Sequence, residues 1–159
     1  FLTKGKILLA GNGGSAADAQ HLSAELSGRF YLNRPPLDSE ALHVNSSFVT
    51  AVANDYSFDI VYERMVEAQG KKGDVFVGIS TSGNSTNVVS AIRKAKEIGM
   101  ITIAFTGEDG GEMGNYADYL VAVPSKDTPR IQETHILIGH IVCQIVEQEL
   151  FGNLKKLKS

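Results

Sequence analysis

The sequence is poor in the features that mark several specialised classes of protein. It has one cysteine, Cys143, and so forms no internal disulfide. Set among apolar neighbours, that thiol reads as a core side chain rather than a nucleophile, and a reducing compartment suits it. Long apolar runs are missing. None approaches the roughly 18 to 20 residues that a membrane-crossing helix needs, and the opening residues, FLTKGK, lack the apolar centre of a secretory signal. Neither sign of charge dominates: a net charge of −3 with acids and bases interspersed leaves no basic stripe to follow a phosphate backbone, which argues against nucleic acid as a direct ligand. Lys155, Lys156 and Lys158 near the C-terminus read as a solvated, frayed end. The expectation is therefore a soluble, cytoplasmic protein with neither a membrane nor a nucleic acid as partner.

The chain has 159 residues, of which 43% are hydrophobic, enough for one domain with a real core. It opens without an initiator methionine, and a further helix is expected ahead of Phe1. Short apolar runs at residues 6–10, 40–44, 75–79, 101–105 and 119–123 read as strands. Helical composition fills residues 16–28, 57–69, 86–98 and 131–151 between and after them. Strands separated by helices need crossover connections. That predicts an α/β fold, a five-stranded parallel sheet with helices on both faces. In such a sheet ligands gather at the carboxyl ends of the strands. Two of those turns are rich in Gly, Ser and Asn: residues 11–15 and residues 80–87.

The first turn, Gly11-x-Gly13-x-x-Ala16 between a strand and a helix, has the order of parts of a dinucleotide fingerprint. A dinucleotide also wants an acid at the end of the second strand for the ribose hydroxyls. Here that strand ends in Asn45-Ser46-Ser47, and Glu40 lies at its wrong end. No Gly-Lys-Ser/Thr follows either loop, which removes the P-loop reading too. The second turn, GISTSGNSTN, places the hydroxyls of Ser80, Thr81, Ser82 and Ser85 around Gly83 where a helix begins. Free amides at a helix start and its dipole favour an anion, so hydroxyls and N–H groups can wrap a phosphate without any lysine. Simple N-capping is the plainer reading, but it needs only one hydroxyl.

Strand-GISTSGNS-helix resembles the sugar isomerase (SIS) domain motif, and AGNGGSAADAQHLSAEL together with RIQETH resembles the phosphoheptose isomerase family within it. The likeness runs over nearly the whole chain with its motifs in family order. It implies a SIS domain over residues 1–159, in a flavodoxin-like three-layer sandwich, and a homotetramer with active sites between subunits. The activity it implies is aldose-ketose isomerisation of sedoheptulose 7-phosphate to D-glycero-D-manno-heptose 7-phosphate through an enediol, supplying heptose for the lipopolysaccharide core. Two rival readings stand beside it: a non-catalytic SIS protein that associates with the replication initiator, and a SIS isomerase for another sugar phosphate.

Moving a proton between adjacent carbons requires a base at carbon and an acid or base at oxygen, which a carboxylate and an imidazole supply. His21 and Glu25 are four apart, on one helical face shared with the small residues Ala17, Ala24 and Gly28 that would allow close packing. Residues 136–146 are apolar almost all round, which predicts a buried helix, between subunits. On that helix Gln132 and His140 lie about 80° apart around the axis, so both can face one site. His43 and His135 read as core histidines.

By resemblance, Glu25 is the general base at carbon and His140 handles the hydroxyl proton. Ser80, Thr81, Ser82 and Ser85 hold the phosphate, while Asn12, Gly13, Gly14, Ser15, Glu25, Asn54, Asp55 and Gln132 contact the sugar chain. His21, Glu25, Gln132 and His140 correspond to positions that can hold one zinc ion per subunit, and His-x-x-x-Glu is acceptable ligand spacing on a helix. Arg29, one turn beyond Glu25, has two readings, orienting that carboxylate or solvating the helix end. Some family members carry an acid before Arg-Ile-Gln-Glu; Pro129 occupies that position here.

Overall fold

The computed structural model describes Phe1 and residues 4–152, so Lys155, Lys156 and Lys158 lie outside the described residues. Each apolar run in it becomes a strand. These are β1 (Ile7–Gly11), β2 (Ser39–Ala41), β3 (Val75–Ile79), β4 (Ile101–Thr106) and β5 (Tyr119–Ala122). They pair in the order β2-β1-β3-β4-β5, and every pairing is parallel. The central strands are apolar on both sides, as a sheet covered on both faces requires.

Five helices cover it: α1 (Gly14–Ser27), α2 (Ser46–Asp55), α3 (Val61–Gln69), α4 (Thr86–Ile98) and α5 (Thr128–Phe151). Leu8, Ala10 and Phe76 of the sheet pack with Val61, Val66, Val88 and Ile92 on the α3 and α4 side. Leu9, Val77 and Phe105 pack with Leu22, Leu26 and Cys143 on the α1 and α5 side. The expected three-layer α/β architecture is therefore present.

Two local expectations need correction. The second strand stops at Ala41, because Asn45 turns the chain into α2 by accepting a 3.0 Å hydrogen bond from the Phe48 amide. That helix has a single buried residue, Val52, and so carries little of the apolar periodicity that reveals helices in sequence. The last helix starts three residues early, at Thr128, with Pro129 in its first turn, where the missing N–H costs nothing. Within the single chain, Leu137, Ile141, Val142 and Ile145 of α5 are about half exposed, on the helix expected to be covered by another subunit.

The order β2-β1-β3 places the chain's reversal of direction between β1 and β3. In an open α/β sheet the crevice at that point, beyond the carboxyl ends of the strands, is where ligands bind. The two polar loops found in the sequence, at the ends of these two strands, flank it.

Candidate active site

The loop after β1 is braced from three sides. Gly13 starts α1 with φ of 54°, a conformation that suits a residue without Cβ. The neighbouring Gly14 lies so close to α5 that a Cβ would stand 2.6 Å from Nε2 of Gln132. Asn12 makes a reciprocal amide pair with Asn87 in the first turn of α4, at 2.8 and 3.0 Å. Below it the buried Tyr62 hydroxyl donates to the Gly11 carbonyl at 2.7 Å. Ser15 is buried, its amide donating to the Asn12 carbonyl. The loops after β1 and β3 are thus joined by side chains, with Gln132 of α5 against the first.

In the loop after β3, Ser80 Oγ lies 2.9 Å from Ser85 Oγ and 3.4 Å from Ser82 Oγ. Ser85 occupies the N-cap of α4, yet its side chain makes no capping hydrogen bond. The simple capping reading is therefore not how this serine is used. Three hydroxyls converge at a helix start, and the loop borders an open cavity of about 280 Å³ whose lining includes Thr81, Ser82, Ser125 and Lys126 and also the carboxylates of Glu108 and Asp109. Such a group can receive an oxyanion from hydroxyls, helix-start amides and the helix dipole together.

The third part of the site lies between α1 and α5. His21 Nε2 stands 3.3 Å from Glu25 Oε1 along one face of α1, and 3.3 Å from His140 Nε2 of α5. The two rings meet edge to face, with centroids 4.9 Å apart. A carboxylate and two imidazoles from distant parts of the chain therefore share one place. This face of α1 is open: Ala17, Ala24 and Gly28 are exposed, so the close packing expected of them is not made within the chain.

His21, Glu25 and His140 offer ligand atoms that all lie within 4.8 Å of one another. Two of the three separations are 3.3 Å, and this set of two imidazoles and a carboxylate is one that could hold a metal ion. Gln132 sits on the same helix as His140, against Gly14. One turn before His21, the Oδ2 atom of Asp18 is buried and has no hydrogen-bond partner among the described residues. Burial pushes its carboxyl up, against the pull of His21 and His140.

Other candidate residues stand apart from this cluster. Asn54 donates to Asp55 at 2.8 Å, and both are exposed at the end of α2. Arg29 donates to the Phe30 carbonyl and makes no hydrogen bond to Glu25 among the described residues. His43, half-buried, lies 3.2 Å from the Gln20 side chain, and burial pulls its imidazole below the usual range. His135 is a core residue, bonded to the Thr106 carbonyl at 3.0 Å, and burial likewise lowers it. Burial raises the Cys143 thiol to about 11, which makes it inert as a nucleophile. Sequence reasoning passed over Tyr62 and Asn87. The signal for Asn87 was present, an amide in the first turn of the helix that follows the hydroxyl loop.

Comparison with known proteins gives a consistent result. A family model described as SIS domain matches residues 1–107. The phosphoheptose isomerase of Clostridium acetobutylicum is 61% identical over 147 residues, covering 92% of this chain and 75% of that protein. Among solved structures, the phosphoheptose isomerase of Neisseria gonorrhoeae superposes with a TM-score of 0.87 at 48% identity, over 92% of this chain and 78% of that one. The Francisella tularensis phosphoheptose isomerase gives 0.89 at 39% identity, with the same coverage.

Proposed function

Since this chain belongs to the SIS domain family, and within it to the phosphoheptose isomerases, we propose that it converts sedoheptulose 7-phosphate to D-glycero-D-manno-heptose 7-phosphate. It is a sugar-phosphate isomerase. The observation that carries the mechanism is the meeting of Glu25, His21 and His140 between α1 and α5.

Isomerisation takes a proton from C1 of the ketose and returns one to C2, while a second proton moves between O1 and O2. Glu25 is the base that removes and returns the carbon-bound proton. His140 exchanges the proton at oxygen, so neither oxygen of the enediol carries a full charge. Ser80, Thr81, Ser82 and Ser85 seat the phosphate at the start of α4. The backbone of Gly13 and Gly14, with Asn12, Ser15 and Gln132, borders the sugar chain, and Asn54 and Asp55, which stand apart at the end of α2, are assigned to it by the resemblance alone. Asn12, whose amide is engaged by Asn87, contributes as much by holding the loop as by touching a hydroxyl.

Zinc is held by His21, Glu25, Gln132 and His140 in this reading, and the donor chemistry of the three clustered side chains supports it. Bound there, the ion supplies a Lewis acid for the sugar's oxygens. A coordinated Glu25 would be a weaker base, so the two roles compete for that carboxylate; in this reading zinc stabilises the pocket and the side chains transfer the protons.

The assembly in this reading is a homotetramer with sites shared between subunits. It is supported by the exposed apolar residues of α5 and the small exposed residues beside His21. We place the enzyme in the cytoplasm, supplying heptose for the lipopolysaccharide core. Among the described residues no helix is long and apolar enough to cross a membrane.

The test is incubation of the protein with sedoheptulose 7-phosphate and, separately, with an amino-sugar phosphate. Formation of the aldose 7-phosphate from the first alone supports the assignment. Conversion of the second alone would transfer it to the other SIS isomerases, and conversion of neither to a binding protein.

A further inference from the structure

Glu147 lies on α5 seven residues beyond His140, two turns along the same face, and is 2% exposed. A carboxylate so deeply buried needs every lone pair satisfied. Its Oε1 accepts from the Phe30 amide at 2.9 Å and from Arg34 Nε at 2.8 Å. Its Oε2 accepts from the amides of Tyr31 and Leu32 at 2.8 and 3.0 Å. Burial alone would raise its carboxyl, but these three amides and the guanidinium outweigh burial and hold it below the usual range.

Arg34 is just as fully committed, its side chain wholly buried. One terminal nitrogen donates to the Leu26 carbonyl at 2.7 Å and to the Pro35 carbonyl at 3.0 Å. The other donates to the carbonyl of Glu25 itself at 2.8 Å. The strap between Glu25 and Arg34 also brings the Phe30 ring to 5.6 Å from the His140 ring. One buried ion pair therefore grips the end of α1 at the residue that bears the base, and α5 two turns from the residue that bears the acid.

We propose that Arg34 and Glu147 are positioning residues for the isomerase site, fixing α1 against α5 so that Glu25, His21 and His140 stay within reach of one another. The inference rests on the proposed function. A buried ion pair is a poor source of stability, because apolar residues of similar volume commonly do as well or better. Capping the end of α1 would need one donor near its last carbonyls. What an apolar pair cannot supply is a fixed distance and register between two helices whose side chains must act together, and misplacement by about 1 Å can cost about 100-fold in rate.

Three variants test this: Glu147→Gln, Arg34→Lys, and the double replacement Arg34→Met with Glu147→Leu. For each, circular dichroism gives the folded fraction, kcat and KM for sedoheptulose 7-phosphate are expressed per folded protein, and competition with a chelating dye gives zinc affinity. In Glu147→Gln we expect kcat to fall about tenfold or more and zinc affinity about 10-fold to 100-fold, the range seen when groups that orient ligands are lost. KM should change less than about threefold, because the hydroxyl loop hangs on β3 and α4. Arg34→Lys keeps the charge but not the fork, and should fall between that variant and the wild type. The double variant leaves the amides and carbonyls that the pair satisfied without partners, so it should fold less well than the wild type, and its folded fraction should show the same loss of kcat and zinc affinity. If folded protein of the single variants, or of the double, keeps kcat and zinc affinity within twofold of wild type, the pair is structural only and the inference is overturned. A wild type that binds zinc but leaves the sugar unconverted counts against the proposed function, and the zinc arm alone then decides this inference.

Discussion

Nε2 of His140 lies 3.3 Å from Nε2 of His21, although the two residues are 119 positions apart in the chain. His21 in turn stands 3.3 Å from Glu25, so one imidazole links the acid and the base of the proposed reaction. The link also makes His21 the residue by which metal binding can be separated from proton transfer. His21→Ala should lose zinc affinity by at least tenfold while keeping more turnover than a variant without Glu25. Chelation of the wild type should lower its thermal midpoint and leave measurable isomerisation. Metal analysis with activity after chelation checks both, and a complete loss restored by zinc would contradict proton transfer by the side chains alone.

The hydroxyl loop makes a separate prediction. Ser85→Ala removes a hydroxyl that Ser80 faces at 2.9 Å and that caps nothing. A hydrogen bond to a charged group is worth about 1.5–3 kcal/mol. KM for the sugar phosphate should therefore rise by roughly 10-fold to 100-fold, with a change of only a few degrees in melting temperature. Steady-state kinetics and thermal melts distinguish this from a stability effect, and unchanged saturation would remove the serine from the phosphate seat.

Asn87 joins the two loops, so its loss should be felt in both folding and binding. Asn87→Ala leaves the Asn12 amide facing an empty space, at a cost of about 1–3 kcal/mol. Denaturant melts should show that loss, and KM should rise with kcat less affected. A variant of wild-type stability and kinetics would mean that the loops hold their places without the amide pair.

Acid sensitivity has a defined source at the far edge of the sheet. Asp118 accepts from Lys96 and from the backbone and side chain of Thr102, which hold its carboxyl down at about 2. A lowered folded value means that the unfolded chain takes up the proton first. This contribution is thus fully present above about pH 5 and is lost as pH falls from the usual carboxylate range through about 2. Asp118→Asn should lower stability at pH 7 and lessen the further loss between pH 5 and 2. Melts across that range measure it, and parallel curves for variant and wild type would contradict it.

The sheet was legible because its central strands are short apolar runs bounded by turn residues, such as residues 75–79. Helix α4 was legible to the residue, since Ser85 and Gly99 punctuate it and its apolar side is periodic. Helix α2 was not, because only Val52 is buried and its Thr and Val residues fit strands as well. The apolar residues on the open face of α5 were legible too, as a surface that something covers, which the sequence reading assigned to another subunit. In the site, the hydroxyl loop and the pairing of His21 with Glu25 are local spacings and could be seen. The clamp of Glu147 on Arg34 joins residues 113 apart, and no local pattern announces such a contact.

The central claim is that Glu25 and His140 move the protons. Its most direct measurement is conversion of sedoheptulose 7-phosphate in deuterated water by the wild type, Glu25→Gln and His140→Gln. A positioned acid or base contributes about 10²-fold to 10⁴-fold. The wild type should form aldose 7-phosphate with solvent deuterium at C2 in the fraction of turnovers in which protonated Glu25 exchanges with solvent, and each variant should fall in rate by that amount while staying folded. Equal rates in all three proteins would contradict the account.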